Sequence, residues 1–302
     1  MRNKKIIKYN GNSRPAFLMA LPALLGLVFF IALPFGLAIV LSFTNLRLGS
    51  PLPTEFVGAE QFRRIFSDSG FLRALANNGF FALIVVPLQT VLALSLALLL
   101  NTGLRGMVLF RTLFFMPVVF PISLVAVVWI LIYAPGPQGM MNAFLSLISF
   151  GAWQARDFLH DPFLALPAIM LLSIWQGAGF QMVIILAGLQ AIPGELYEAA
   201  KIDGAGKWHR FSHITLPQLR NTIIFVVLVT SILAFRLFDQ VQIMTQGGPE
   251  NATTTVIYET VHAAFERQQV ARAAAMTVVF FIIVLVITWL QRHFIRHERE
   301  IK

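Results

Sequence analysis

The chain contains no cysteine, and only 12% of its 302 residues are charged. The absence of cysteine excludes disulfides, thiolate nucleophiles and cysteine-ligated zinc sites. An average soluble domain carries about 25% charged residues, roughly twice the fraction found here. Hydrophobic residues make up 57% of the chain and the mean hydropathy is +0.75, so the composition is that of an integral membrane protein.

The net charge of +9 is not accompanied by a basic surface motif. The 23 lysines and arginines are dispersed among apolar runs, whereas nucleic-acid binding requires them to cluster on one face. In membrane proteins these residues accumulate in the loops that remain in the cytoplasm. We therefore expect membrane lipid around the protein and no nucleic acid among its partners.

Long apolar runs dominate the sequence. A helix needs about 20 predominantly apolar residues to cross the hydrocarbon core. Six segments meet this requirement: 16–44, 79–100, 113–133, 163–189, 222–240 and 273–291. The first greatly exceeds the core of a cleaved signal peptide and predicts a retained signal-anchor helix. The predicted fold class is an all-α integral membrane protein with six transmembrane helices.

Prolines inside the apolar runs predict how the helices pack. Each proline frees a backbone carbonyl that a neighbouring helix must satisfy, which indicates a packed bundle rather than isolated anchors. These residues are Pro22, Pro34, Pro87, Pro117, Pro121 and Pro167.

The distribution of basic residues predicts the orientation of the chain. An even number of spans places both termini on one side, and that side together with its two loops holds 15 of the 23 lysines and arginines. Both termini are therefore expected in the cytoplasm. The predicted organisation is a cytoplasmic segment 1–15, a permease domain 16–294 containing the cytoplasmic loop 190–221, and a cytoplasmic tail 295–302. No loop is long enough for a separate soluble domain. Partner proteins must therefore supply the energy for the protein's activity and capture its ligand.

The loop 190–221 contains Gly204-Ala205-Gly206-Lys207, which superficially looks like a phosphate-binding loop. That motif requires a glycine five residues before its Gly-Lys pair and a serine or threonine directly after it, since the hydroxyl holds Mg²⁺. Lys201 and Trp208 occupy these two positions. The sequence therefore predicts no nucleotide site in this loop.

The same loop predicts a compact helical knob. Pro193 and Gly194 can open a short helix whose first turns carry Glu195 and Glu198, where carboxylates suit the positive end of the helix dipole. Gly204 and Gly206 then permit a sharp turn into a second short helix, 208–214. The alternative is an ordered connector in which Glu198 pairs with Lys201 at i,i+3.

From Glu198 to Pro217 the loop reads EAAKIDGAGKWHRFSHITLP. Its spacing resembles the cytoplasmic EAA loop of ABC importer permeases. The positions that carry the resemblance, and that it implies contact an ATPase subunit, are Glu198, Ala199, Ala200, Asp203, Gly204, Ile214, Leu216 and Pro217. The segments SFTNL (42–46), FRTLFFMPVVFPISLVAVVWI (110–130) and FDQVQIMTQGGPENATTT (238–255) resemble the carbohydrate-uptake subclass, which includes the maltose and glycerol-phosphate permeases.

The resemblance implies a type I importer permease in the bacterial inner membrane. Its expected partners are a second permease, two ATPase subunits and a periplasmic or lipid-anchored sugar-binding protein. ATP and Mg²⁺ would be bound by the ATPase subunits, so the chain itself is expected to be no enzyme and to hold no cofactor or metal. Which sugar, polyol or sugar phosphate it transports is not fixed by the resemblance.

Polar residues inside the spans are candidates for the substrate path. In the fourth span, aromatic rings and amides lie within two helical turns, as a sugar site requires, while Gly177 and Gly179 would equally fit a close helix contact. The resemblance extends the candidate path into the fifth span. The predicted path residues are Trp175, Gln176, Gly177, Phe180, Thr230, Leu233, Ala234, Arg236 and Leu237.

Arg236 and Asp239 are spaced for an ion pair on one helix, and Arg236 could instead reach the membrane surface or face the cavity. His209 and His213 have the i,i+4 spacing of a helical metal pair, but no third ligand accompanies them, so we expect a solvated pair. Asn251-Ala252-Thr253 matches a glycosylation sequon, and no modification is assigned to it.

Two other classes of protein fit the sequence less well than an importer permease. The alternative is an ion-coupled secondary transporter, for which inverted repeats and carboxylates near the membrane midplane are expected. Asp239 lies near the end of its span, and no such repeat is evident. A membrane enzyme would need a convergent set of nucleophile, base or metal ligands, which the sequence does not offer.

Overall fold

A computed structural model describes residues 13–102 and 106–297. In these ranges the regular elements are helices, apart from one isolated β-bridge between Thr44 and Phe56. The α-helices are α1 (Ser13–Leu27), α2 (Leu33–Leu41), α3 (Glu60–Phe66), α4 (Ser69–Leu100), α5 (Met107–Val119), α6 (Ile122–Ile132), α7 (Met140–Ile148), α8 (Ala165–Gln190), α9 (Gly194–Ile202), α10 (Lys207–Arg210), α11 (Leu216–Phe235), α12 (Asp239–Met244), α13 (Val256–Val261) and α14 (Val270–His297). Most of the predicted terminal segments, at 1–12 and 298–302, lies outside the described residues.

Five continuous helical runs are long and apolar enough to cross a membrane, and a bent pair of helices supplies a sixth candidate. The continuous runs are Phe17–Leu41, Ser69–Leu100, Ala165–Gln190, Lys207–Phe235 and Val270–His293. Several extend well beyond the predicted limits because polar flanking turns continue the helix. The all-helical prediction is confirmed for the described residues.

The predicted third span, 113–133, is a pair of helices with a sharp bend between them. Helices α5 and α6 meet at an angle of 100° across Phe120 and Pro121. Pro121 has no N–H to bond the carbonyl of Pro117 four residues earlier, and its ring clashes with a helical continuation. Hydropathy alone does not register this bend, because the residues on both sides are equally apolar.

The predicted fifth span also has different limits. Its helix ends at Phe235 rather than Gln240, and Arg236, Leu237 and Phe238 connect it to α12. At its other end the helix begins at Lys207, so the predicted second short helix 208–214 and the fifth span form one continuous run. A π-helical turn, Phe211–Thr215, joins α10 to α11.

The π-turn explains how the helix continues past Pro217. In this turn the N–H of Leu216 bonds to the carbonyl of Phe211, five residues back. Pro217 follows directly and has no N–H to donate to the carbonyl four residues earlier. The wider π-turn lets the helix continue without that hydrogen bond. The first span repeats the arrangement, since the N–H of Leu33 bonds to the carbonyl of Val28 immediately before Pro34.

Helices α4 and α8 form the centre of the bundle, and α11 packs against both. One apolar cluster joins these helices beside the loop that follows α8, and it includes Leu100, Leu189 and Leu219. A second cluster joins α3, α4, α13 and α14 at the opposite end, around Phe71 and Met276. We name these ends the knob end and the far end.

The first span is peripheral. It packs on α14, where the Phe35 and Phe281 rings lie 4.5 Å apart. None of its hydropathic core is buried within this chain. Its apolar side chains therefore face lipid or another subunit.

At the far end, residues 245–256 form a tightly packed connection that we name the threonine loop. Thr253, Thr254 and Thr255 are at most 2% exposed. Their hydroxyls bond to Thr245, to the carbonyls of Gly247 and Gly248, and to the carbonyl of Leu237. The loop is fastened to α4 by two asparagines: Asn77 donates to the carbonyls of Asn251 and Thr254, and Asn78 accepts from the N–H of Val256.

Candidate functional site

The knob, residues 194–215, begins as the sequence predicts. Helix α9 starts directly after Pro193, with Glu195 in its first turn and Lys201 in its last. No residue of α9 is buried. Glu198 and Ala199 are exposed and Ala200 is partly exposed, so this helix offers its surface to something outside the chain.

Gly204 makes the turn that ends α9. Its φ of +77° lies in the left-handed region, which glycine adopts without a Cβ penalty. The N–H of Ala205 bonds to the carbonyl of Ala200 at 2.8 Å, and the N–H of Gly204 bonds to that of Lys201 at 3.1 Å. This pair of bonds is the Schellman motif, which satisfies the last carbonyls of a helix. Gly206 has a negative φ and caps α10 instead.

The two arms of the knob are joined by one hydrogen bond. The Tyr197 hydroxyl lies 2.9 Å from the Thr215 hydroxyl. Thr215 is buried, whereas Ile202 and Trp208 are 87% and 77% exposed. Among the described residues Glu198 takes part in no ion pair, so the alternative pairing with Lys201 is not formed. The knob is thus ordered internally but exposes apolar surface and an unpaired carboxylate.

The remaining predicted coupling residues lie on the second arm and around the turn. Asp203 and Gly204 are exposed at the turn, Ile214 is partly exposed, and Leu216 and Pro217 are exposed at the start of α11. The His209 and His213 rings stack with centroids 3.9 Å apart on the same arm. In the described ranges no group of three or more His, Cys, Asp or Glu side chains is placed to hold a metal ion.

A cavity of about 340 Å³ lies between α4, α8, α11 and the bend of α5 and α6. Eight of the nine predicted path residues line it: Gln176, Gly177, Phe180, Thr230, Leu233, Ala234, Arg236 and Leu237. Trp175 does not, because it lies on another face of α8, where its ring is 5.5 Å from that of Trp129. The structure therefore brings the candidates from the two spans together at one place, and their role in transport remains a prediction.

Gln176 connects the cavity to the broken third span. Its Nε2 donates to the carbonyls of Pro117 and Phe120, both at 3.2 Å. The first of these carbonyls is the one left without a helical donor by Pro121. A neighbouring helix thus satisfies a carbonyl freed by proline, as predicted, and the amide nitrogen of Gln176 is engaged within the chain.

The two glycines of the fourth span serve different purposes. A Cβ atom at Gly179 would overlap the carbonyl oxygen of Phe114, so here α5 approaches the backbone of α8 closely. A Cβ atom at Gly177 would overlap the side-chain amide of Gln89, which also lines the cavity. The close-packing interpretation therefore holds for Gly179, while Gly177 leaves room for a polar group in the cavity wall.

The ion pair between Arg236 and Asp239, one of the interpretations left open by the sequence, is absent from the described structure. The helix ends at Phe235, so the two residues do not share the face that the i,i+3 spacing assumed. Both side chains are exposed and both line the cavity. Arg236 also lines a neighbouring apolar pocket that includes Phe35 and Phe281, and its place in the substrate path stays a prediction.

Several polar residues of the cavity lie outside the predicted path, among them Gln89 and Gln181. Gln89 of α4 is buried, and a lone glutamine within the apolar run LIVVPLQTVLAL could have been recognised from its type. Gln181 of α8 donates to the Thr230 hydroxyl, which in turn donates to the carbonyl of Val226 at 2.7 Å. The Oε1 atom of Gln181 is buried without a partner. The cavity wall thus combines amides with apolar surface.

Comparison with known proteins agrees with this architecture. Residues 89–300 match the family described as "Binding-protein-dependent transport system inner membrane component". The diacetylchitobiose uptake system permease protein NgcF of Streptomyces coelicolor is 35% identical over 86% of this chain and 76% of its own length. The sn-glycerol-3-phosphate transport system permease protein UgpA of Pectobacterium atrosepticum is 32% identical over 95% of this chain and 98% of its own.

A third relative is the sulfoquinovosyl glycerol transport system permease protein SmoG of Agrobacterium fabrum, 33% identical over 95% of this chain and 92% of its own. Among solved structures, a bacterial ABC transporter involved in the import of the acidic polysaccharide alginate is similar. A chain of it superimposes with a TM-score of 0.79 at 23% identity, over 96% of this chain and 97% of that chain. This likeness concerns the fold.

The predicted resemblance is thereby confirmed, because both the family match and the relatives cover most of the chain. The helical runs and the family place the protein in the inner membrane as a multi-pass component. The chain belongs to the family of inner-membrane components of binding-protein-dependent transport systems, the permeases of ATP-binding-cassette importers.

Proposed function

We propose that this chain is a transmembrane permease subunit of a sugar importer driven by ATP. The relatives named above are named for transport of diacetylchitobiose, sn-glycerol-3-phosphate and sulfoquinovosyl glycerol, so the substrate class is a sugar, a glycerol glycoside or a glycerol phosphate. The observation that carries the proposal is the cavity where two spans present amides and apolar surface together. Sugars expose hydroxyls around flat apolar faces and need both kinds of contact.

The proposed substrate path follows the eight predicted residues of the cavity, from Gln176 on α8 to Leu237 beyond α11. Trp175 is left out of this path because it lies outside the cavity lining. Gln89, Gln181 and Thr230 would supply hydrogen bonds along it. A transporter changes the accessibility of such a cavity only if ATP binding favours one of two conformations over the other.

The knob is the proposed contact with the ATPase subunits. Its exposed α9, the unpaired Glu198 and the exposed Ile202 and Trp208 fit a groove of a partner better than open solvent. ATP and Mg²⁺ would be bound and ATP hydrolysed by two such subunits, while this chain performs no catalysis. Because α10 continues into α11, movement of the knob would reach the cavity wall through a single helical run.

This assignment implies an orientation and further partners. The knob lies in the cytoplasm, and the basic-residue count then places both termini there as well. The domain limits 1–15, 16–294 and 295–302 follow from it. A second permease would cover part of the exposed apolar surface. The extracytoplasmic partner would be a sugar-binding protein, by analogy with a bacterial alginate ABC transporter solved in complex with an alginate pentasaccharide-bound periplasmic protein.

The decisive experiment purifies the tagged chain from its own host after gentle solubilisation and identifies the proteins that accompany it. We expect an ATPase, a second permease and a binding protein whose bound ligand identifies the sugar. The Gly204→Asp variant should lose the ATPase, because a side chain at a φ of +77° distorts the turn of the knob. Gly206→Asp is the matched control, since it adds the same charge two residues away at a φ that any residue adopts.

Recovery of the chain alone, with both variants unchanged, would contradict the coupling role and favour the alternative of an ion-coupled secondary transporter. Loss of the ATPase from both variants alike would show that added charge, not turn geometry, disrupts the contact.

A further inference from the structure

A second polar pocket, about 140 Å³ in volume, lies at the far end of the bundle. We name it the arginine pocket; it is lined by Asn45, Leu46, Arg47, Gln61, Arg64, Gln269 and Arg272. Its walls are held together by backbone bonds: the N–H of Leu48 donates to the carbonyl of Gln268, and that of Ala271 donates to the carbonyl of Leu46. The pocket is therefore formed before anything enters it.

The lining carries three guanidinium groups and three amides but no carboxylate. Two carboxylates outside the lining each bond to one arginine of the pocket. Asp68 bonds to Arg272 at 2.5 Å, and Glu60 bonds to the Nε of Arg64 at 3.0 Å. A guanidinium has five N–H donors, so neither contact saturates it. The pocket keeps an excess of positive donors.

Two of these donors have no partner in the described structure. The Nε of Arg272 is buried without a hydrogen bond. Arg47 is exposed, and its guanidinium forms neither a hydrogen bond nor an ion pair with the described residues. An acceptor that carries negative charge would satisfy both groups, since guanidinium and carboxylate form paired, charge-assisted hydrogen bonds.

The size of the pocket restricts what can enter. Sites for whole small molecules occupy about 300–1,000 Å³, well above the 140 Å³ found here. A carboxylate on a short stem fits this volume, and an aspartate or glutamate side chain provides one. Arg47 and Arg64 also lie between two candidate spans rather than within them, which points to a partner in the aqueous phase.

The surface beside the pocket has the composition of a protein contact. Leu48 follows Arg47 directly and is 52% exposed, and Phe66 lies two residues after Arg64 and is also 52% exposed. In the connection between them, Leu52 and Phe56 are 72% and 78% exposed. Arginine and aromatic residues are enriched at the centres of protein interfaces, where charges need a matching partner.

Taking the proposed function as given, we propose that the arginine pocket receives an aspartate or glutamate side chain of the extracytoplasmic binding protein. The pocket lies at the end opposite the knob, on the side where that protein would dock. The inserted carboxylate would accept from Arg47 and Arg272 and fix the position of the binding protein over the entrance of the bundle. Electrostatic complementarity of this kind governs association rate and register.

The test uses the complete transporter in nanodiscs and the binding protein that co-purifies with it, both purified. The measurement is the concentration of binding protein that gives half-maximal stimulation of ATP hydrolysis. Arg47→Glu should raise it about tenfold or more, because a like charge then faces the inserted carboxylate. Hydrolysis without binding protein should stay unchanged, since the Arg47 guanidinium forms no hydrogen bond or ion pair with the described residues that the substitution would remove.

Arg63→Glu is the matched control. Arg63 precedes Arg64 on α3, pairs with the same Glu60 at 3.2 Å and does not line the pocket. It should leave the half-maximal concentration at the wild-type value. An Arg47→Glu effect equal to that of Arg63→Glu would overturn the proposal. Arg47→Glu effects that appear only with phosphatidylglycerol in the nanodisc, and vanish in pure phosphatidylcholine, would assign the pocket to a lipid headgroup instead.

A charge swap provides the positive result. A single Asp→Arg or Glu→Arg change in the binding protein should restore stimulation of the Arg47→Glu transporter while weakening that of the wild type. Failure of every such change on the docking face would contradict the proposal. A wild-type transporter that no binding protein stimulates would overturn the proposed function itself, which the Arg47 variant alone cannot do.

Discussion

The knob and the threonine loop both connect helices and both contain glycine and polar residues, but they differ in where those residues find their partners. In the threonine loop the hydroxyls bond within the chain and the side chains are buried. In the knob the turn, the Tyr197–Thr215 contact and the Ser212 hydroxyl are satisfied internally, while Glu198, Ile202 and Trp208 remain exposed. A polar motif that is satisfied inside its own chain holds the fold, and one that is left exposed is available to a partner.

Two glycines with nearly the same backbone conformation test this difference most directly. Gly247 and Gly204 have φ values of +80° and +77°, but a Cβ at Gly247 would lie 2.8 Å from both Thr254 and Tyr258, whereas one at Gly204 would meet nothing within 4 Å. Gly247→Ala should cost about 3 kcal/mol of stability, from left-handed strain and overpacking. Gly204→Ala should cost about 1 kcal/mol, from strain alone.

Both stability losses can be measured by heating the two purified variants and monitoring the loss of monodisperse protein. Equal destabilisation would remove the distinction between the loops.

Gln176 combines the two kinds of polar group, those satisfied within the chain and those available to a ligand. It lines the cavity and also donates to carbonyls of its own chain. Gln176→Leu should lower stability by about 2 kcal/mol, since a buried carbonyl that loses its donor costs about 1–3 kcal/mol. Gln240→Leu is the matched control, because Gln240 lines the same cavity and its side chain forms no hydrogen bond with the described residues.

Unfolding and sugar uptake should be measured together for this pair. If Gln176→Leu lowers uptake while leaving stability untouched, the residue serves substrate and not the bend.

Single hydroxyls give the smallest effect. Thr253→Val removes the bonds of the Thr253 hydroxyl to Thr245 at 2.7 Å and to the carbonyl of Gly248 at 2.8 Å, and should cost about 1 kcal/mol. In the knob, Ser212→Ala removes a partly exposed hydroxyl and should change stability by less than about 0.5 kcal/mol. Chemical denaturation in detergent can distinguish the stability loss of Thr253→Val from that of Ser212→Ala. A larger loss for Ser212→Ala would contradict the stated difference between the threonine loop and the knob.

Much of the knob could be predicted because its signals are local. Pro193, Glu195 and Gly204 act within a few residues of themselves, and the structure places each as expected. The continuation of the helix through Pro217 could not be predicted, because proline ordinarily ends a helix and the π-turn that accommodates it has no simple sequence signal.

The central cavity was predictable in part, from residue type and from the family resemblance, but not from geometry. Polar and aromatic types identified Gln176 and Phe180, and charge identified Arg236. The resemblance supplied the other positions of the fifth span, which are Thr230, Leu233, Ala234 and Leu237. Whether a residue faces the cavity depends on where each helix bends or ends, so Trp175 and the Arg236–Asp239 pair were misplaced. Those limits are decided by tertiary contacts such as the Gln176 bonds, which no local pattern contains.

The π-turn Phe211–Thr215, at the end of the knob, sets the rotational phase of α10 relative to α11. A residue advances an α-helix by about 100° of rotation, and the turn at Phe211–Thr215 accommodates one residue more than a regular turn would. Removing one residue there would leave a regular turn and keep Thr230 and Leu233 facing the cavity, whereas removing one from α11 ahead of Thr230 would rotate both by about a quarter turn. The direction in which the cavity wall faces is therefore preserved by a feature that touches neither the cavity nor the exposed surface of α9.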